Sequence, residues 1–192
     1  DYGNNLWIGV RSGGGWIFYS NELKNLPPES FYWLSNSPYA PGQDFSDFLI
    51  FSPLKMYCSS NKGRIFRYLK TQNIWQSIYQ FPSAPGQEPD ARILFKTKNG
   101  LGIALIPADG SGSIIYETMD DVNFYPISPL LPSKTIIGAV LSEKNNDLIV
   151  AGNIPTACYL IKNNNFYTTF QSSEAEILDI FKSNNGIIYL LA

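Results

Sequence analysis

Few side chains in this chain could do chemistry, and their spacing does not favour it. No histidine occurs among the 192 residues. That removes Ser-His-Asp and Cys-His nucleophiles, histidine zinc sites and histidine general bases together. Cys58 and Cys158 occupy different positions of different segments, and they read as small buried hydrophobes, not as a disulfide. Carboxylates come close in sequence at Asp44 and Asp47 and at Asp120-Asp121. Glycosidic hydrolysis needs two carboxylates about 5–10 Å apart across one cleft. Here the first pair reads as loop and the second as a solvated turn. Ser12-Gly13-Gly14-Gly15 is followed by no Lys-Ser/Thr and no helix signal, so it reads as a turn and not as a phosphate loop. Asp109-Gly110-Ser111-Gly112 lacks the alternating acidic ligands of a calcium loop. No catalytic residue, metal ligand or cofactor is expected.

What remains is the chemistry of aromatic faces. The chain carries 12 Phe, 12 Tyr and 4 Trp. Those outside the strand cores could stack on sugar rings or anchor a protein partner. Five are candidates: Trp33, Tyr39, Trp75, Tyr125 and Tyr167. Tyr39, beside Pro38 and near Pro41, is the one most plainly in a loop.

These residues need a frame, and the frame repeats. Five apolar runs begin at Leu6, Leu54, Leu101, Leu148 and Ile187, separated by 48, 47, 47 and 39 residues. A period of about 40–50 residues is that of the blades of a β-propeller. Asn- and Gly-rich turns precede four of the runs, as in Lys98-Asn99-Gly100 and Asn184-Asn185-Gly186. A Ser52-Pro53 pair takes the place of the turn before Leu54, and a further strand-like run precedes each of the last four apolar runs: Phe48–Phe51, Arg92–Phe95, Thr135–Leu141 and Glu176–Phe181. Each unit also holds a second hairpin, such as Arg64–Tyr68 with Ile74–Tyr79. Ala-Pro-Gly-Gln occurs at both Ala40–Gln43 and Ala84–Gln87, each followed by an acid.

The chain is therefore expected to be all-β: four four-stranded blades, 6–53, 54–100, 101–147 and 148–186, plus the inner strand of a fifth at 187–192. The five apolar runs are read as inner strands, covered on both faces, and the runs before the turns as outer strands. The competing folds are a generic sandwich or barrel. Ser173-Glu174-Ala175-Glu176 also resembles a helix capping box, but its place in the repeat favours a strand. A closed four-blade ring has no place for a fifth inner strand, so the chain is expected to be part of a larger ring or assembly.

Composition narrows the partners. Net charge is −2 with 14 basic and 16 acidic residues. The densest basic group, Lys62, Arg64, Arg67 and Lys70, is a weak patch, and nucleic acid is not expected as a partner. No run approaches the ~20 apolar residues that span a bilayer.

The second hairpin of the third unit carries a family resemblance. Residues 115–127 resemble the Asp-box (sialidase-type, BNR) repeat, Ser-x-Asp-x-Gly-x-x-Trp. Thr118 stands at the hydroxyl position, Asp120 at the Asp and Tyr125 at the Trp, while Val122 replaces the Gly. In such a turn the Asp and hydroxyl bond the backbone and the aromatic packs beneath. The spacing of Tyr68 and Trp75 resembles a kelch repeat. The resemblance implies a propeller, and relatives that include sialidases, assembly factors and phage tail or adhesin domains. A sialidase-like site would need three converging arginines, a Tyr nucleophile with a Glu partner and an Asp acid. Arg11, Arg64, Arg67 and Arg92 are the only arginines, and none falls on a run read as an inner strand.

The leading function is a non-catalytic recognition or scaffold propeller binding a glycan or protein. By analogy, the Asp-box resemblance implies a virion or extracellular surface in preference to the cytoplasm, for example a phage tail or surface protein. The alternatives are a glycoside hydrolase or lyase completed outside this segment, and an intracellular kelch-like adaptor.

Overall fold

The computed structural model describes residues 6–10, 16–20 and 32–33 as backbone strands, and residues 45–192 apart from 53, 54, 70, 73, 143, 144 and 146. Every described element is a β-strand, and each sheet is a simple antiparallel meander. The first sheet holds β1 (Leu6–Val10), β2 (Trp16–Ser20) and β3 (Tyr32–Trp33). The second holds β4 (Phe45–Ser52), β5 (Lys55–Ser60), β6 (Arg64–Leu69) and β7 (Ile74–Gln80). The third holds β8 (Asp90–Lys96), β9 (Leu101–Ile106), β10 (Ile114–Thr118) and β11 (Tyr125–Pro126). The fourth holds β12 (Thr135–Leu141), β13 (Leu148–Asn153), β14 (Thr156–Lys162) and β15 (Asn165–Ser172). The fifth pairs β16 (Asp179–Lys182) with β17 (Ile188–Leu191).

The sheets fan about their first strands. β4 touches β8, β8 touches β12, and β12 touches β16. This corrects the phase of the repeat. The runs at 48–51, 92–95, 135–141 and 179–181 begin their sheets and are not outer strands. The runs at 54, 101, 148 and 187 fall in second strands, so 187–192 is not the inner strand of the fifth sheet. The sheets thus span 45–80, 90–126, 135–172 and 179–191, not 54–100, 101–147 and 148–186. Among the described residues three sheets have four strands, the first has three and the fifth two. The physical reason lies in the turns. A tight turn such as 97–100 can only join strands that pair with each other, and Lys96 pairs with Leu101 across it. Passage from the outer edge of one sheet to the inner edge of the next takes a longer segment, as at 81–89. Ala84–Gln87 forms a turn in that crossing, with Gln87 N donating to Ala84 O at 3.0 Å. Ala40–Gln43 lies outside the described residues. The second strands misled because they are the most continuously buried, being flanked within the sheet and covered on both faces.

Apolar clusters fill the seams between sheets. Leu49, Tyr57, Leu101, Ile103 and Phe124 pack between the second and third sheets. Phe95, Ile115, Ile136, Val150 and Ile161 pack between the third and fourth. Ala151, Cys158, Ile177 and Ile180 pack between the fourth and fifth. Full burial of each such aliphatic side chain stabilises the fold by about 1.5–3 kcal/mol. Cys58 and Cys158 are free and buried. In each complete sheet the first strand carries a bulge near its start, at Ser46, Arg92 and Ile137. A bulge re-aims the strand and sharpens its twist. The segment at 173–178 is no helix: Ser172 Oγ accepts from the N–H groups of Glu174 and Ala175, each at 3.1 Å, and β16 follows.

Candidate functional site

The β10–β11 turn is built by its own side chains. Asp120 Oδ1 accepts from Val122 N at 2.9 Å and Asn123 N at 2.8 Å. Thr118 Oγ1 accepts from Asp121 N at 3.0 Å and lies 3.2 Å from Asp120 Oδ1. The Asn123 and Val122 amides hold the Asp120 carboxyl far below the usual carboxylate range. The aromatic beneath this turn is Phe124, not Tyr125. Phe124 is buried against Tyr79, with ring centroids 4.2 Å apart, whereas Tyr125 is 56% exposed. Adjacent residues of an extended chain face opposite ways, so only one of the two could fill the seam.

Asp121 is not a solvated turn carboxylate. It is buried at φ 65° and reaches into the second sheet. Tyr57 Oη donates to its Oδ1 at 2.6 Å, Arg67 to its Oδ2 at 2.7 Å, and Lys55 Nζ lies 3.3 Å from Oδ2. Burial opposes the charge, but the bonds from Tyr57, Arg67 and Lys55 outweigh it and lower the carboxyl's pKa. Tyr57 moves the other way. Burial, then its bond to Asp121 and that residue's negative charge, push the phenol well above its ordinary value. A phenol so held is a hydrogen-bond donor and a poor nucleophile.

Asp47 lies on β4, not in a loop. Its Oδ2 accepts the Leu94 amide of β8 at 2.7 Å, while Ser46 Oγ donates to Asp90 Oδ1 at 2.5 Å. Burial raises the Asp47 carboxyl against the lowering by Leu94 N–H. These bonds stitch the inner edges of neighbouring sheets. Arg92 is on a first strand and therefore inside, yet it bonds Asp90 at 3.1 Å. Arg64 bonds Gln80, and Arg67 bonds Asp121. Three arginines with three separate partners form no carboxylate clamp. Asp44 and Arg11 lie outside the described residues. Among the described residues no group of His, Cys, Asp and Glu is placed to hold a metal ion.

Among the described residues, a cleft of about 570 Å³ opens at the seam of the third and fourth sheets. Ile127, Leu148 and Ile161 contribute apolar surface. Around them stand Asn99, Asn145, Asn163 and Asn164, with Lys98 and Lys162 balanced by Glu117 and Asp147. Asn163 and Asn164 both have positive φ, at 52° and 58°, a conformation that Asn tolerates in a tight hairpin. Asn99 Nδ2 donates to Glu117 Oε2 at 3.0 Å. At Gly100 a Cβ would stand 2.1 Å from Thr118 O, so only glycine lets the β8–β9 turn pass there.

The five aromatic candidates separate. Tyr125 is paired directly with Glu117 across β10–β11, and cross-strand partners project from the same face. It also shares that face with Ile127, two residues on. Tyr125 therefore stands on the same face of the third sheet as the cleft-lining Glu117 and Ile127. Tyr167 is equally exposed, at 56%, but pairs with Leu160, while cleft-lining Ile161 pairs with Phe166. It faces the opposite side of the fourth sheet. Trp75 corrects the expectation of a surface anchor: it is buried against Tyr68 and Phe48, ring centroids at 5.2 and 6.1 Å. Trp33 is placed by its backbone in β3, opposite Phe18, with its side chain outside the described residues. Tyr39 lies outside them altogether. Sequence reasoning missed the cleft asparagines, although the turn signal at Lys98-Asn99-Gly100 marked one of their hairpins.

No protein-family model and no curated protein matches the chain. Solved structures do. The extracellular domain of BT4673 from B. thetaiotaomicron, described as a one-component and as a hybrid two-component system, matches with TM-scores of 0.71 and 0.70 at 14% identity. The match covers 98% of this chain and 25% of that domain, so the chain spans about a quarter of that relative's length. The β-propeller domain of Myceliophteria thermophila Cps50 (Swd1) matches with a TM-score of 0.56 at 10% identity, over 92% of this chain and 58% of that one. At such identities the likeness shows the fold alone. The fold is a β-propeller.

Proposed function

We propose that this chain is a non-catalytic recognition propeller whose ligand, an uncharged glycan segment, lies in the cleft between the third and fourth sheets. One observation carries this reading: exposed Tyr125 is the cross-strand partner of Glu117, which lines a cleft that combines apolar surface with an amide-rich, charge-balanced lining. A sugar ring offers an apolar face for an aromatic and hydroxyls for side-chain amides and charged groups. Lys98 and Lys162 against Glu117 and Asp147 leave no net charge to select an anion. The raised Tyr57 phenol and the separately paired arginines disfavour the sialidase-like alternative.

The test is a glycan array followed by calorimetry with the best uncharged oligosaccharide. Binding should occur without turnover, weaken at least tenfold in Tyr125→Ala and persist in Tyr167→Ala. Retention of anionic glycans only, or equal binding by Tyr125→Ala, would overturn the reading.

A further inference from the structure

The cleft between the third and fourth sheets joins two kinds of surface that a plain polyhydroxy chain would use unequally. On the fourth-sheet side its floor is a row of aliphatic side chains. Leu141 pairs with Leu148, and Leu148 with Ile161, and cross-strand partners share a face. All three line the cleft, and Ile127 lines it after β11. None of the four carries a ring. Sugar hydroxyls laid on branched aliphatics lose water and gain no hydrogen bond. Such a floor suits a methyl group better than it suits a bare sugar.

Beside the floor stand amides that the protein leaves uncommitted. Lys162 pairs with Asn165, so Asn163 and Asn164 are the two residues of the β14–β15 turn. Both line the cleft. Asn163 is engaged through its backbone carbonyl, which accepts from Asn165 Nδ2 at 3.3 Å. Neither side-chain amide has a hydrogen-bond partner among the described residues. Asn99 differs, because its amide already donates to Glu117. A free side-chain amide offers two donors and an acceptor, which is the complement of another amide.

An acetamido group carries both a methyl and an amide. Taking the cleft as the glycan site, on which this inference rests, we propose that it selects glycans bearing acetamido substituents. The acetyl methyl lies on the row of Leu141, Leu148 and Ile161, and the ligand amide exchanges hydrogen bonds with the Asn163-Asn164 turn. The substituent is uncharged, in keeping with Lys98 and Lys162 standing against Glu117 and Asp147. Tyr125, on the face of Glu117 and Ile127, is left for the face of a sugar ring.

Calorimetry of the full chain with tri-N-acetylchitotriose and with cellotriose tests this. The two trimers share linkage and length and differ at one substituent on each ring. Burying one methyl and making one amide hydrogen bond predicts a preference of about tenfold or more for the acetylated trimer. Asn163→Gly and Asn164→Gly keep the positive φ that the turn requires and each remove one amide. Together they should reduce the preference while leaving cellotriose affinity unchanged. Methyl NMR of the unaltered protein should show the acetyl methyl in contact with Leu148 and Ile161. Equal affinity for the two trimers overturns the acetamido assignment and leaves the glycan reading standing. So does binding of neither trimer when another uncharged glycan is retained on the array. Retention of no uncharged glycan at all removes the glycan reading and this inference with it. Where the glycine variants perturb the hairpin, the affinity ratio and the acetyl-methyl contacts of the unaltered protein decide the question.

Discussion

Two seams of the same fan meet the same geometric problem and solve it differently. Between the second and third sheets, the β10–β11 turn folds Asp121 down onto Tyr57, Arg67 and Lys55. Between the third and fourth, the corresponding β14–β15 turn is Asn163-Asn164, and the space beside it stays open as the cleft. Below these turns the first seam is rich in aromatics, with Tyr79, Phe81, Tyr116 and Phe124 in mutual contact. The second is filled mainly by aliphatics, with Tyr159 and Phe166 as its one ring pair among the described residues. A carboxylate that reaches across the seam closes it with its partners' charges. A turn whose polar groups stay local leaves walls that a ligand can occupy. A recognition site in such a fan can therefore arise where an inter-sheet lock is missing.

The largest effect is expected from opening the closed seam. Asp121→Ala strands the Arg67 guanidinium and the Tyr57 hydroxyl, both now without their shared acceptor. Breaking a buried pair from one side costs about 3–5 kcal/mol, which a urea titration would show as a lower midpoint. Asp121→Asn should lose less, because the amide still accepts from Tyr57 and Asn tolerates the φ of 65°.

Acid sharpens the contrast within that seam. The Asp121 carboxyl is lowered, so its stabilisation is present above the unfolded carboxylate value of about 4 and fades as pH falls through its lower folded value. The Asp47 carboxyl is raised, so its contribution has the opposite sign. That contribution is full below about 4 and is lost as pH rises through the folded value. Urea midpoints measured across this range should show a shallower acid limb in Asp121→Asn, since Asp120 keeps its own lowered carboxyl. In Asp47→Asn the decline on the neutral side should flatten instead. Identical pH profiles for the two variants would contradict the assignment.

At the open seam, Gly100→Ala forces a Cβ into Thr118 O. An overpacked site of this kind costs about 1–3 kcal/mol, and hydrogen exchange should show the loss along β8–β9. The smallest stability change belongs to Tyr125→Ala, within about 0.5 kcal/mol for an exposed side chain. Thermal unfolding should barely move while glycan binding falls, and that separation distinguishes a ligand platform from a packing residue.

Much of the frame was legible in the residues themselves. Asn- and Gly-rich turns and evenly spaced apolar runs placed nearly every described strand, because hairpins are specified by neighbours in sequence. The phase of the sheets was not, because the most continuously buried runs are second strands, and burial on both faces does not by itself distinguish a second strand from an inner one. At the turn, Thr118 and Asp120 bond groups within three residues of themselves, so a short motif could point to them. Which of Phe124 and Tyr125 goes inward depends on a ring in another sheet, Tyr79. Trp75 and Tyr125 look equally available in sequence, and only their surroundings set one in the core and the other on the surface.

The amino-acid sequence by itself determined an all-strand chain of repeated hairpins, without histidine chemistry and with turns tied by their own side chains. Only the tertiary structure decided that Asp121 closes one seam and that Asn163 and Asn164 border an open one. The division has a physical cause. Hairpin geometry is governed by contacts a few residues apart, whereas Asp121 meets Arg67 and Tyr57 across 54 and 64 residues. Contacts at that separation exist only once whole sheets have packed face to face.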